Sequence, residues 1–249
     1  LCSVCLLFCS VVGLFPGVAA AQTSVFNLNV EAGAVWQSRN VARIPNTAES
    51  SRISLRELQG NGPFDYARIE GTWQLRDRHQ LRALYAPLTI SGSERPSTPL
   101  RFAGKNFVAG ESTETHYRFD SYRLSYRYRF HDSGKWNWWG GVTLKVRDAN
   151  VRLRQGALQG EDPNTGVVPL LSLVGHYRLS ERWTLVLDAD GLWVPQGRAF
   201  DLALKARYAI TERLAAGLGY RTLEGGADND KVYTFAWQHH ALAELNWQF

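Results

Sequence analysis

The feature that most constrains this chain is a period of two that recurs along most of its length. "FNLNVEAGAVW" puts Phe26, Leu28, Val30, Ala32, Ala34 and Trp36 on one face, with Asn27, Asn29 and Glu31 on the other. "ARIEGTWQL" sets Ala67, Ile69, Gly71, Trp73 and Leu75 against Arg68, Glu70, Thr72 and Gln74. "YRLSYRYRF" sets Tyr122, Leu124, Tyr126, Tyr128 and Phe130 against Arg123, Ser125, Arg127 and Arg129. Side chains of a strand point alternately to opposite faces, so this alternation marks a two-faced sheet. It continues through "WNWWGGVTLKV" (136–146), "PLLSLVGHYRL" (169–179), "WTLVLDADGLW" (183–193), "FDLALKARY" (200–208), "LAAGLGYR" (214–221) and "WQHHALAELNWQF" (237–249). "QLRALYAPL" is less regular and fits if Arg82 points away from Leu81, Ala83 and Tyr85. Together these segments make ten strands, with eight or twelve as the neighbouring even counts.

The connections alternate in length. "LRDRH" (75–79), "FHDSGK" (130–135), "LSER" (179–182) and "ITER" (210–213) are tight, whereas 39–63, 92–114, 149–165 and 224–231 are longer and polar. "PQGRA" (195–199) breaks the alternation and reads as a Gly-X hairpin centred on Gly197 and Arg198. Aromatic residues gather at both ends of the segments. Trp73, Tyr128, Trp136, Tyr177, Trp183 and Tyr208 flank the tight turns, while Trp36, Trp193, Phe200, Tyr220, Tyr233 and Phe235 lie near the far ends. Two belts of amphipathic rings suit the two lipid–water interfaces of a membrane. A soluble sandwich has the same period but no need for such belts. An antiparallel up-and-down barrel closed in lipid meets both demands, because it leaves no open edge.

Leu245, Trp247 and Phe249 alternate into a terminal aromatic. With the ten segments, this ending resembles the Gram-negative outer-membrane β-barrel proteins, small and about ten-stranded. The resemblance implies an outer-membrane location and a C-terminal strand read by the barrel-assembly machinery. It also implies contact with outer-membrane lipid and lipopolysaccharide.

Leu1 to Ala21 carries no charge and ends in a Pro-Gly break and small residues, as a cleaved signal peptide does. This leaves 22–249 as one barrel domain. Cys2, Cys5 and Cys9 all fall in that leader, so the mature chain is expected to hold no disulfide and no thiolate chemistry. The formal net charge of +5 resides in the remainder. Its distribution over one face of the strands points to an interior, not to nucleic acid.

That face supplies the candidate site, a lumen charge network of Asp188, Arg207, Asp190, Lys205, Asp201, Arg221, Arg123, Arg127, Lys145, Arg178, His240 and Glu244. With a hairpin centred on Gly197 and Arg198, Asp190 falls opposite Lys205 and Asp188 opposite Arg207. Catalysis has weaker candidates. Asp188, Asp190, His239 and His240 catch the eye, yet the acids have bases opposite, His239 falls on the lipid register and His176 lies near a tight turn. No set suits a metal or another cofactor. Ala203, Ala215, Gly217 and Gly219 leave room on one inner wall for a narrow anion path. The loops 39–63 and 92–114 hold apolar residues enough to cap the mouth. The expected role is non-enzymatic, in envelope structure or surface interaction, for a monomeric barrel; a narrow anion channel is the alternative and a barrel-embedded hydrolase the second alternative.

Overall fold

The computed structural model describes residues 25–249, so the expected leader lies outside the described residues. The first elements are β1 (Val25–Arg43), β2 (Ile53–Ser54), α1 (Leu55–Gln59), β3 (Phe64–Arg76), β4 (His79–Ala86), β5 (Thr89–Glu94), β6 (Leu100–Phe102) and β7 (Lys105–Phe107). They are followed by β8 (Thr113–Asp132), β9 (Trp136–Gln155), β10 (Leu158–Arg178), β11 (Trp183–Val194), β12 (Gly197–Ala209), β13 (Leu214–Asp228) and β14 (Tyr233–Gln248). Among the described residues, β1, β3, β4, β8 and β9 to β14 form a closed antiparallel ring, and β5 prolongs the line of β4 along β8. Closure is made by β14 on β1, with Leu28 opposite Trp247 and Ala34 opposite Ala241. The Phe249 N–H completes this seam by donating to the Phe26 carbonyl at 2.8 Å.

The two faces separate as the alternation requires. Leu124, Leu144 and Leu204 are more than half exposed, while their neighbours Arg123, Lys145 and Lys205 are buried. Apolar side chains on the outside and charged ones within make this a membrane barrel. The aromatic belts are also present. Near the tight turns Trp136 packs on Tyr177 at 4.4 Å, Trp183 on Tyr208 at 5.0 Å and Phe26 on Trp73 at 5.2 Å between ring centroids. Tyr128 there packs edge-on against His79. Trp36 and Trp193 stand exposed at the other end. Tyr233 is half-buried, with its hydroxyl bound by Arg39 and Arg52.

Several strands run further than the alternation suggested. β8 has 20 residues, β9 20 and β10 21, whereas about 9–11 tilted residues cross a bilayer. The connection expected at 149–165 is therefore largely strand, and β13 reaches into the one expected at 224–231. The physical reason is an inversion of the code. On β8 the outward residues change from Tyr122, Leu124 and Tyr126 to Glu114, His116 and Arg118, while Tyr117 is buried inside. On β9 they change from Val142, Leu144 and Val146 to Asp148, Arg152 and Arg154, with Val151 and Leu153 buried. Above the bilayer the outside is water, so the apolar set turns inward.

The connections 39–63 and 92–114 do fold over the mouth. Ile53, Leu55, Leu58, Phe102 and Phe107 pack with Val35, Tyr66, Ile90, Tyr117 and Leu153 of the strand tops in one buried cluster. Approach is so close that a Cβ on Gly92 would lie 2.5 Å from the Gln59 Cα.

The hairpin between β11 and β12 corrects an expectation. Val194 lies opposite Gly197, so Pro195 and Gln196 are the turn, and Gly197 is not among the glycines with positive φ that a Gly-X turn needs. Proline at the first central position presets its own φ for the turn. The register consequently places Asp190 opposite Asp201 and Asp188 opposite Ala203, not opposite Lys205 and Arg207. Gly197 is required for another reason, since a Cβ there would come within 2.5 Å of the Gly226 carbonyl oxygen. Residues 25–249 contain no cysteine, which makes the register directly testable. Ala189→Cys with Leu202→Cys is expected to cross-link with a short thiol reagent, and Ala189→Cys with Ala206→Cys is not.

Candidate functional site

Strands on opposite sides of the ring deliver the inward charges to one level. Asp188 and Asp190 come from β11 and Asp201 from β12; Arg68, Arg82, Arg123 and Arg127 come from β3, β4 and β8. The Arg82 side chain is fully buried, donating to Asp190 Oδ2 at 2.5 Å and to Ser125 Oγ at 2.8 Å. Arg123 holds Asp190 at 2.9 Å and Asp201 at 2.7 Å. Arg127 holds Asp188 at 3.0 Å, and Arg68 holds Asp201 at 3.0 Å. Arg221 pairs with Asp201 and, at 3.1 Å, with Glu31. Lys205 bridges Glu31 at 3.0 Å and Glu244 at 2.7 Å, and Arg207 reaches Glu244 at 2.8 Å.

Most of the expected network is thus assembled, but with other partners. The acids of β11 meet arginines across the lumen instead of bases on the adjacent strand. Glu31, Arg68 and Arg82 join it, all three on the polar side of their alternations. Three expected members stand apart. Arg178 is exposed at the end of β10. His240 is buried against Tyr66, with ring centroids 4.6 Å apart. Lys145 is buried without an ion pair, its ammonium 4.8 Å from the centre of the Phe119 ring.

The ion-paired side chains occupy the interior at their own level. A Cβ on Gly217 would lie 2.9 Å from Glu244 Oε1, and one on Gly219 2.6 Å from Lys205 Cγ. The room left by these glycines is therefore taken by the two ion-paired side chains. The carboxylates face arginine or lysine, an arrangement that neutralises their charge. His239 points outward, bonded to Tyr220 Oη at 2.5 Å and Ser38 Oγ at 3.0 Å. His176 packs on Trp139 at 4.9 Å. Among the described residues, no three His, Cys, Asp or Glu side chains are grouped to hold a metal ion.

The network divides two cavities. The lower, of about 110 Å³, is lined by Asn27, Thr72, Gln80, His176 and Arg207. The upper, of about 360 Å³, has Arg123, Lys145, Asp190 and Asp201 among its floor residues and Tyr117, Val151, Leu170, Leu192 and Leu223 among its walls. Single-strand alternation does not signal this upper space, which depends on how strands of unequal height meet.

No protein-family model matches the chain, and no curated protein matches it in sequence. Solved structures do. The outer membrane protease OmpT from Escherichia coli aligns over 90% of this chain and 97% of its own, at 12% identity and a TM-score of 0.52. The translocator domain of the autotransporter NalP from Neisseria meningitidis aligns over 91% of this chain and 88% of its own, at 13% identity and a TM-score of 0.46. Neisserial surface protein A aligns over 90% and 97%, at 14% identity and a TM-score of 0.38. With its lipid-facing exterior, closed ring and ion-paired interior, the chain has the fold of the Gram-negative outer-membrane β-barrels, and the outer membrane is where it resides.

Proposed function

We propose that this protein is a non-enzymatic, non-conducting barrel that serves envelope structure or surface interaction through its ordered extracellular end. The observation carrying this reading is the ion-pair network that spans the lumen from β11 and β12 to β3, β4 and β8, with Arg82 and Arg221 buried within it. Charges so strongly paired at one level are poor partners for a solute that must exchange its hydration. The apolar cluster beneath the loops supports an outer surface of fixed shape.

The barrel acts as a monomer in contact with lipid and lipopolysaccharide, and its last strand is the part the assembly machinery engages. Arg52 over Tyr233 at 4.4 Å and Arg39 over Phe235 at 5.2 Å gather positive charge that suits lipopolysaccharide phosphates. Reconstituted in planar bilayers, the wild-type protein is expected to pass no stepwise current. Reproducible unitary conductance with anion preference would replace this reading by the channel.

A further inference from the structure

We propose that the upper cavity is a binding site for an amphiphile with a single apolar chain and a small anionic headgroup, which reaches it sideways from the outer leaflet through a gap between β10 and β11. The proposal concerns a ligand of the extracellular half and is independent of whether the barrel conducts.

The gap follows from strand length. The ladder between β10 and β11 runs from Arg178–Thr184 up to Leu171–Gly191 and stops there. β11 has 12 residues and turns back at Pro195, whereas β10 has 21 and continues upward paired only with β9. Above Leu171 the two neighbours therefore share no ladder, although both line the cavity, β10 through Val168 and Leu170 and β11 through Leu192 and Val194. The opening lies at lipid height. Val167 and Leu171 are exposed on β10, opposite the lipid-facing Val146 and Val142 of β9, and Trp193 is exposed on β11. Pro169 lies on the free stretch of β10 and brings no N–H, as suits a strand edge. Unpaired backbone at membrane depth is tolerated where it lines a cavity and is costly elsewhere, so the gap and the cavity explain each other.

The chemistry of the cavity names the occupant. Its walls are largely apolar, and its volume of about 360 Å³ is that of a small-molecule site. Lys145, 4% exposed, lines it with no hydrogen bond or ion pair among the described residues, its ammonium 4.8 Å from the centre of the Phe119 ring. Nearby Arg147 Nε is buried with no partner. Asp190 and Asp201 on the floor are already bound by arginines, leaving Lys145 to receive an external anion. A carboxylate or phosphate on the ammonium, with its chain along Leu170, Leu192 and Tyr117, satisfies both halves of the site.

The test uses the full barrel in nanodiscs of zwitterionic lipid, with fluorescent dansyl-undecanoate as probe. Saturable binding is expected, displaced by dodecanoate and by dodecyl phosphate but at least tenfold less well by dodecanol. Lys145→Gln should weaken probe binding at least tenfold and Lys145→Arg largely restore it, both folding as judged by heat-modifiable gel mobility. Leu170→Cys with Leu192→Cys, oxidised, should slow uptake from the bilayer, and reduction should reverse this. Displacement of the probe by a single-chain lysophosphatidate built into the nanodisc would assign the occupant to a membrane lipid, and displacement by dodecanoate and dodecyl phosphate without it to a diffusible amphiphile. Absence of saturable binding, or binding indifferent to Lys145→Gln, would overturn the site; uptake indifferent to the closed gap would overturn the lateral route.

Discussion

Arg82→Ala is expected to destabilise the barrel by about 3–5 kcal/mol, the usual cost of removing one partner from a buried ion pair. The reason is the charge left behind. Asp190 lies 2.5 Å from Arg82, with Asp188 at 3.4 Å and Glu70 at 3.5 Å also within its reach. After the substitution these carboxylates share Arg68, Arg123 and Arg127, and the space of a long buried side chain is empty. The penalty comes from stranded desolvated anions, so the double variant Arg82→Met with Asp190→Asn should recover a substantial part of it. Equilibrium unfolding in urea with lipid vesicles measures both. Equal stability of Arg82→Ala and wild type would mean that the network does not organise the lumen.

Leu124→Arg carries the second large effect. Leu124 is about half exposed on β8, opposite Ala83 on β4 and Leu144 on β9, in the middle of the lipid-facing band. An arginine near the bilayer midplane of a barrel costs about 2–4 kcal/mol, falling towards zero at the interface. The same strand supplies the control. His116 points outward on the upper part of β8, where Ser91 Oγ lies 3.0 Å from its Nδ1, and His116→Arg should change stability by less than about 1 kcal/mol. The contrast between two arginines on one face of one strand locates the lipid boundary. A similar cost at both positions would remove the inversion between them.

Much of this was legible from residues taken in order. The tight turns, the belts of Trp73, Trp136 and Trp183, and the inward set of Glu31, Arg123 and Lys205 follow from a local rule, because each strand residue faces opposite to the next. The rule also misled where its environment changed. Tyr117 and Val151 continue the inward parity of Arg123 and Lys145, yet they are apolar because water, not lipid, surrounds that height. Reading only apolar-outward segments thus ended β9 near Val146, nine residues short of Gln155.

The sequence by itself determined that the chain is a closed, two-faced sheet in lipid with its charges inside, because backbone pairing and side-chain alternation are local and repeat. Which charge meets which was decided only by tertiary structure. A shift of the β11–β12 turn to Pro195 and Gln196 moved Asp190 away from Lys205, and ring closure brought it to Arg82 on β4. The end of the β10–β11 ladder at Leu171 likewise exists only because strands of 21 and 12 residues stand side by side. Partner choice across a lumen depends on curvature, stagger and unequal height, which no single strand encodes.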